Sequence, residues 1–300
     1  MDPSRPLPIA VIVNTASGSG WNADALAQLQ ATFRAAGMEV EVLSAKSGEE
    51  ILALAQKALA AQPQLVVAGG GDGTISTVAS VLQSTGIALG VLPLGTLNHF
   101  ARDLCIPAEV EAAVRVIAAR RIISVDMGQV NERCFINNAS LGIYTDVVRD
   151  RERQQRRLGR GKRWAMVWAC ITALRRSPFL RVTLSLDGEK HDYRAPFIFV
   201  GNNAYTMEGF AIGQRDGLQD GHLSLYVTQR KSRLGLVTLG LRALFGRLRQ
   251  ARDFLAATAQ TIEVTSRHGH LPVATDGEVA LMRTPLVFRT LPGALKVIAP

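Results

Sequence analysis

The chain has 300 residues, 47% of them hydrophobic and 20% charged, with a formal net charge of +9 and a pI of about 10.0. That composition supplies a sizeable core for two domains or one large one, and it excludes wholesale disorder. The positive charge suits nucleotides, nucleic acid or acidic lipid surfaces, and by itself selects none of them.

In chain order, the first part alternates strand and helix. Ile9–Val13 reads as a strand, followed by a helix from about Asn22 to Ala36 that stops at Gly37. Val40–Leu43 is the next strand. Ser47 with Glu50 forms a capping box for a helix carrying Leu52, Ala55 and Leu59 on one face. The apolar run Leu65–Ala68 is a buried strand, and Ile75, Val78, Ala79 and Leu82 recur at helical spacing. A fourth strand, Leu89–Leu92, and a helix, Glu109–Ala119, close the series. This order predicts a mainly parallel sheet whose ligands bind at the carboxyl ends of its strands.

After about Val125 the pattern changes. Cys134–Asn137, Leu180–Leu186, Pro196–Val200, Leu223–Val227, Thr261–Val264 and Pro285–Phe288 are short β-rich runs between turn signals, as in an antiparallel sandwich. Two basic helical insertions are expected, around Val147–Arg176 and Ser232–Phe254. The boundary falls near Asp126–Val130, giving an α/β domain over 1–128, to which a tail of about 289–300 returns, and a sandwich over 129–288. Cys105, Cys134 and Cys170 are odd in number, far apart and in apolar surroundings, which predicts reduced, buried thiols with no metal-ligand spacing. No apolar stretch approaches the ~20 residues of a spanning helix, and Met1–Pro6 lacks the layout of a secretion signal. A cytoplasmic protein touching a membrane from one side only is expected.

Four constellations carry chemistry. Gly69-Gly70-Gly71-Asp72-Gly73-Thr74 joins the third strand to its helix, where glycines let backbone N–H groups approach an anion at the helix start. It has neither the Lys-Ser/Thr of a Walker A loop nor the spacing of a dinucleotide fingerprint. Asp72 makes sense beside phosphates when magnesium bridges them. Leu92–Ala101 follows the fourth strand, with Gly95 and Thr96 as donors and Asn98 placed to cap the next helix. Val13–Gly20 is a polar turn on the same edge. The fourth is Asp276-Gly277-Glu278, a carboxylate source for general-base chemistry, set among apolar neighbours that would raise a pKa. Asp187-Gly188-Glu189 has identical letters, but the polar residues after it mark a solvated hairpin turn.

Together these segments resemble the diacylglycerol kinase catalytic-domain family, which includes sphingosine kinases and bacterial lipid kinases. Gly70–Thr74 and Leu92–Ala101 are the most specific parts, supported by Asn137–Gly142 and Asp276–Glu278. The resemblance implies an α/β domain binding ATP and a β-sandwich holding a lipid head group across a crevice. It implies that Asn14, Ser44, Gly70, Gly71, Asp72, Gly73, Thr74, Ile75, Ser76, Gly95 and Thr96 serve ATP, and that Glu278 is the general base. It further implies that Asp126 helps Asp72 with the catalytic Mg2+, and that Asp220 with the carbonyls of Gly217 and His222 forms a second, remote metal site. Spacing alone reads that last stretch as a β-turn. His99 departs from the family, which commonly carries an aspartate there; Asp103 lies one helical turn further on.

The resulting expectation is an ATP- and Mg2+-dependent kinase acting on a hydroxyl of a lipid such as diacylglycerol, phosphatidylglycerol or a sphingoid base. NAD kinases share Gly-Gly-Asp-Gly-Thr and are the rival enzyme; a catalytically silent regulator is the other alternative, suggested by His99. The basic stretch Arg149–Arg163 runs into Trp164, Val167, Trp168, Ile171 and Leu174 at helical spacing, which suits peripheral contact with an anionic membrane as well as it suits core packing. The expected partners are thus a lipid substrate, an anionic membrane and a second copy in a homodimer, with no nucleic acid.

Overall fold

Four apolar runs, Ile9–Asn14 (β1), Val40–Ala45 (β2), Leu65–Gly70 (β3) and Ala88–Pro93 (β4), lie as parallel strands in the order β2-β1-β3-β4 in the computed structural model. The structure describes residues 9–16, 21–142, 179–206, 214–215, 217–228 and 254–300. By its contacts the chain divides into two units, Met1–Asp126 with Gly293–Pro300, and Met127–Pro292.

In the first unit every residue of β3 and β4 is buried, which their near-continuous apolar sequences permit. Helices α1 (Ala23–Ala35), α2 (Gly48–Ala60), α3 (Asp72–Leu82), α4 (His99–Asp103) and α5 (Val110–Ala119) connect the strands. Asn22 caps α1 by accepting from Ala25 N at 2.9 Å. Ser47 caps α2 by accepting from Glu50 N at 3.2 Å, while the Glu50 carboxylate reaches back to Lys46 N at 2.7 Å. The buried stripe of α2 is Ile51, Ala55 and Ala58, so Leu52, expected inward, is 39% exposed. Leu52 and Ala55 are three apart, but Ile51 at i−4 has the better inward phase.

The strand β5 (Ile122–Val130) runs straight through the place where the sequence pattern changes. The second unit then contains β6 (Arg133–Phe135), β7 (Asn138–Gly142), β8 (Leu180–Leu186), β9 (Glu189–Ala195), β10 (Phe197–Asn202), the two-residue strands β11 (Tyr205–Thr206) and β12 (Gln214–Arg215), β13 (Leu223–Thr228), β14 (Phe254–Ala259), β15 (Thr261–Ser266), β16 (His270–Thr275) and β17 (Glu278–Arg283). The long strand β18 (Leu286–Ile298) begins here, antiparallel to β15, and ends in the first unit, parallel to β4. An antiparallel sheet ordered β14-β13-β10-β7-β16-β17 contributes Leu141, Ile198, Leu225 and Val273 to a core that Leu184, Ile262 and Phe288 share from β8, β15 and β18. Two apolar faces closing on one core make the sandwich.

The basic insertion expected around Val147–Arg176, and residues 232–253 of the other, lie outside the described residues; Phe254 itself opens β14. Cys170 is outside them too. Cys105 is exposed rather than buried, at a positive φ of 57° after α4. Half-buried Cys134 has its pKa raised from 9.0 to about 11 by burial. Its thiol therefore stays protonated at neutral pH and gains thiolate only as pH climbs toward 11. Iodoacetamide at neutral pH should alkylate Cys105 well before Cys134, as read by peptide mass spectrometry, with the difference narrowing as the pH is raised.

Candidate functional site

In the first unit the glycine loop and the segment after β4 are pressed together. A methyl group on Gly95 would collide with the Gly71 Cα and lie 2.7 Å from Asn98 Oδ1; one on Gly70 would lie 2.5 Å from Thr74 Oγ1. Both positions need glycine because backbone passes where a side chain would be. Gly71 is the N-cap residue of α3, with no side-chain cap, and the first turn of such a helix offers its N–H groups to an anion.

Asp72 holds the two segments in place. Its Oδ2 accepts from His99 N at 3.1 Å and its Oδ1 from Phe100 N at 3.0 Å, so it caps α4 across 27 and 28 residues of sequence. Asn98, expected to cap that helix, does not. It adopts a left-handed conformation (φ 48°), and its side chain staples its own loop, accepting from Gly95 N at 3.0 Å and donating to the carbonyls of Pro93 (3.1 Å) and Gly95 (2.9 Å).

Asn14, at the end of β1, donates from Nδ2 to Thr74 Oγ1 at 3.0 Å and accepts from Ala16 N at 3.0 Å. It thereby ties the first loop to the glycine loop. Ser44 and Thr96 are exposed, and Gly73 and Ser76 are half-buried. Ile75 is fully buried and its N–H bonds the Gly71 carbonyl at 3.1 Å, so its side chain supports the loop from the core. Asp126, on β5, is buried and accepts from Gly293 N at 2.8 Å, joining β5 to β18 within this unit.

Removing the Asp72 carboxylate should unlatch the second segment. Asp72→Ala leaves two part-buried N–H groups to find new acceptors, at about 1–3 kcal/mol for each left unsatisfied. Thermal unfolding should show that loss, and titration with ATP and Mg2+ should show at least about a tenfold weaker affinity. An unchanged titration would mean the latch is irrelevant to the ligand.

In the second unit, Asp276 and Gly277 occupy the turn between β16 and β17 with φ of 47° and 88°. Asp187 and Gly188 turn from β8 to β9 in the same way, at 46° and 103°. The two aspartates nevertheless differ. Asp187 accepts from Thr261 N at 3.2 Å in an exposed bond. Asp276 accepts from three backbone N–H groups, Ile136 (2.8 Å), Asn137 (2.9 Å) and Asn138 (3.1 Å). Sequence reasoning assigned this motif's role to Glu278 alone and missed the structural task of Asp276.

The expected apolar environment of Glu278 is not found. Its side chain is 52% exposed and its Oε2 lies 2.6 Å from Arg133 Nη2 on β6. Val279, Ala280 and Leu281 extend along β17, where Leu281 is 70% exposed, so apolar letters next in sequence do not surround the carboxylate. Beside it the 136–138 segment carries a polar knot that the sequence did not announce. Buried Arg215 donates to the Ile136 carbonyl (2.7 Å) and to Asn137 Oδ1 (2.8 Å), and Tyr205 Oη donates to the Asn137 carbonyl (2.9 Å).

The remote trio is brought together. Asp220 Oδ1 lies 2.7 Å from where a Cβ on Gly217 would be, so glycine is required there. His222 Nδ1 contacts the Asp220 carbonyl at 3.0 Å, and the His222 carbonyl accepts from Asn203 N at 3.1 Å. Among the described residues no group of three or more His, Cys, Asp or Glu side chains is arranged to hold a metal. Asp72, Asp126 and Asp220 are hard oxygen donors of the kind magnesium takes, and one or two carboxylates with phosphates and water satisfy it. His99 supplies no such oxygen. No helix among the described residues is long and apolar enough to cross a membrane.

A parallel sheet whose glycine loop opens a helix, in one chain with an antiparallel sandwich, is the architecture shared by NAD kinases and diacylglycerol kinases. The chain belongs to the diacylglycerol kinase catalytic-domain family: that domain's model matches residues 8–130, and the YegS C-terminal NAD kinase beta sandwich-like domain matches 139–299. A probable lipid kinase YegS-like protein of Pseudomonas syringae pv. syringae is 30% identical over 274 residues, 89% of this chain and 86% of that one. An uncharacterized Synechocystis protein is 30% identical over 78% of this chain, and a probable lipid kinase YegS-like protein of Klebsiella pneumoniae is 34% identical over 44%. The matched regions span about half the length of these two relatives, 54% and 46%. A putative diacylglycerol kinase from Bacillus anthracis superposes with a TM-score of 0.74 at 22% identity, covering 98% of this chain and 97% of that one, and so shares the fold.

Proposed function

We propose that the protein is an ATP- and Mg2+-dependent lipid kinase, transferring the γ-phosphoryl group to a hydroxyl of a membrane lipid. The observation that carries this reading is the latch of Asp72 onto His99 and Phe100, which joins the glycine loop to the segment after β4. A glycine loop alone would serve an NAD kinase equally well. Its union with Leu94–Phe100, in a chain of this family, favours the lipid kinase.

In this reading the uncapped start of α3, with Gly70, Gly71, Gly73 and Gly95, receives the nucleotide phosphates, and Asn14 fixes Thr74 beside them. Asp72 and Asp126 would hold magnesium, which when bound neutralises charge on the phosphates. Glu278 takes the proton of the lipid hydroxyl as that oxygen bonds to the γ-phosphorus and the bond to the bridging β–γ oxygen breaks, releasing ADP. Arg133 orients the Glu278 carboxylate. The remote oxygen set of Asp220 with the Gly217 and His222 carbonyls would take a second magnesium. Binding and positioning account for most of the acceleration.

Incubating the purified protein with ATP, Mg2+ and a total membrane lipid extract tests this reading. Mass spectrometry should reveal a lipid class that gains one phosphoryl group. An extract unchanged under conditions where NAD is phosphorylated would overturn it.

A further inference from the structure

Three arginines meet on the outer face of the β8–β9–β15 sheet. Arg181 on β8 is the direct register partner of Arg194 on β9, and Arg267 follows Ser266, whose partner on β8 is Val182. Adjacent strands are about 4.8 Å apart, and like charges directly opposite each other destabilise a sheet. The neighbouring Thr183–Asp192 pair supplies one carboxylate, which already accepts from Thr183 Oγ1 at 2.6 Å. Val182 and Tyr193, the register pair next to Arg181 and Arg194, turn to the sandwich core, so the alternating arginines face away from it.

This face is concave. All three arginines line a cavity of about 520 Å³ with Thr183, Asp192, Thr265 and Ser266. The three hydroxyls donate within the protein, Thr183 to Asp192 and those of Thr265 and Ser266 to the Thr183 and Arg181 carbonyls, so the guanidinium groups are what this face offers a phosphate. The Arg194 guanidinium also lies 5.1 Å from the centre of the Phe179 ring, setting an aromatic side chain beside it. Planar guanidinium groups form a phosphate-recognition surface, and a nearby aromatic ring suits the boundary between head groups and acyl chains.

We infer that this arginine groove docks the protein on the phosphate head groups of anionic phospholipids. The inference rests on the reading that the protein works at a lipid surface, and assigns that contact to a sandwich face instead of the basic insertions expected from the sequence.

Co-sedimentation with vesicles of phosphatidylcholine, with and without phosphatidylglycerol, tests the assignment. The intact protein should partition onto the anionic vesicles and release as salt is raised. At about fivefold for each basic side chain held at an anionic surface, Arg181→Gln/Arg194→Gln/Arg267→Gln together should lower partition about a hundredfold. The triple lysine replacement should restore most of it, and thermal unfolding should confirm that both variants fold. Equal binding to neutral vesicles, or a glutamine variant that partitions like the parent, would overturn the inference. Phosphoryl transfer to lipid in neutral detergent micelles separates it from the kinase reading: the glutamine variant should keep that activity, and a parent inactive there would count against the kinase reading alone.

Discussion

Glu278→Gln should lower phosphoryl transfer to lipid by about 10²- to 10⁴-fold, the range a positioned general base contributes. Nucleotide binding should hardly change, because the glutamine keeps the size of the side chain and the glycine loop lies in the other unit. Thermal stability should also be nearly intact: the change removes a half-exposed ion pair with Arg133, and such pairs contribute about 1 kcal/mol or less. Single-turnover measurements at saturating ATP read the chemical step directly. A variant with parental turnover would remove Glu278 from the reaction. Arg133→Ala is the companion measurement, since it keeps the carboxylate but frees its orientation.

Asp276→Ala should give the largest loss of stability. Three backbone N–H groups converge on one carboxylate, and hydrogen bonds to a charged acceptor are individually stronger than neutral ones. Because the three share one acceptor their contributions do not add, and a total of about 3–5 kcal/mol is expected. Asp187→Ala is the internal control. It has the same turn geometry but an exposed bond to Thr261 N, and should cost about 1 kcal/mol or less. Chemical denaturation of the two variants side by side makes the comparison. Equal losses would show that the 136–138 segment does not depend on Asp276.

The pair of Asp-Gly-Glu motifs shows what sequence can and cannot convey. Polar letters after Glu189 announced a hairpin there, but the apolar letters around Glu278 did not announce that Asp276 and Gly277 make the same turn between β16 and β17. Yet the feature that differs most is a set of contacts more than 130 residues away in sequence, which no local pattern encodes. The same holds for Asp72: its place in a glycine loop was plain, whereas its grip on His99 and Phe100 exists only once β3 and β4 lie side by side.

Regular elements with matching local signals were legible. The Ser47–Glu50 capping box and the alternation of strands and helices to Ala119 announced themselves through side-chain chemistry and period. Strands without apolar alternation were not. β17, with exposed Glu278 and Leu281, is one, whereas β9, sequence EKHDYRA at a sheet edge, was legible only through the Asp187-Gly188 hairpin turn that precedes it. β18 was expected as a strand only over Pro285–Phe288, with a tail of about 289–300 returning to the α/β domain; it is one strand through Ile298, whose far end finds β4 as a partner. A strand's length is set by the neighbour that pairs with it.

The most direct measurement follows the γ-phosphate itself. Protein incubated with γ-labelled ATP, Mg2+, membrane lipids and NAD in one vessel is extracted into organic and aqueous phases. Label carried into the organic phase by the parent, and lost from it in Glu278→Gln, is the predicted result. Label on NAD instead, or organic-phase label that the variant retains, would contradict the account.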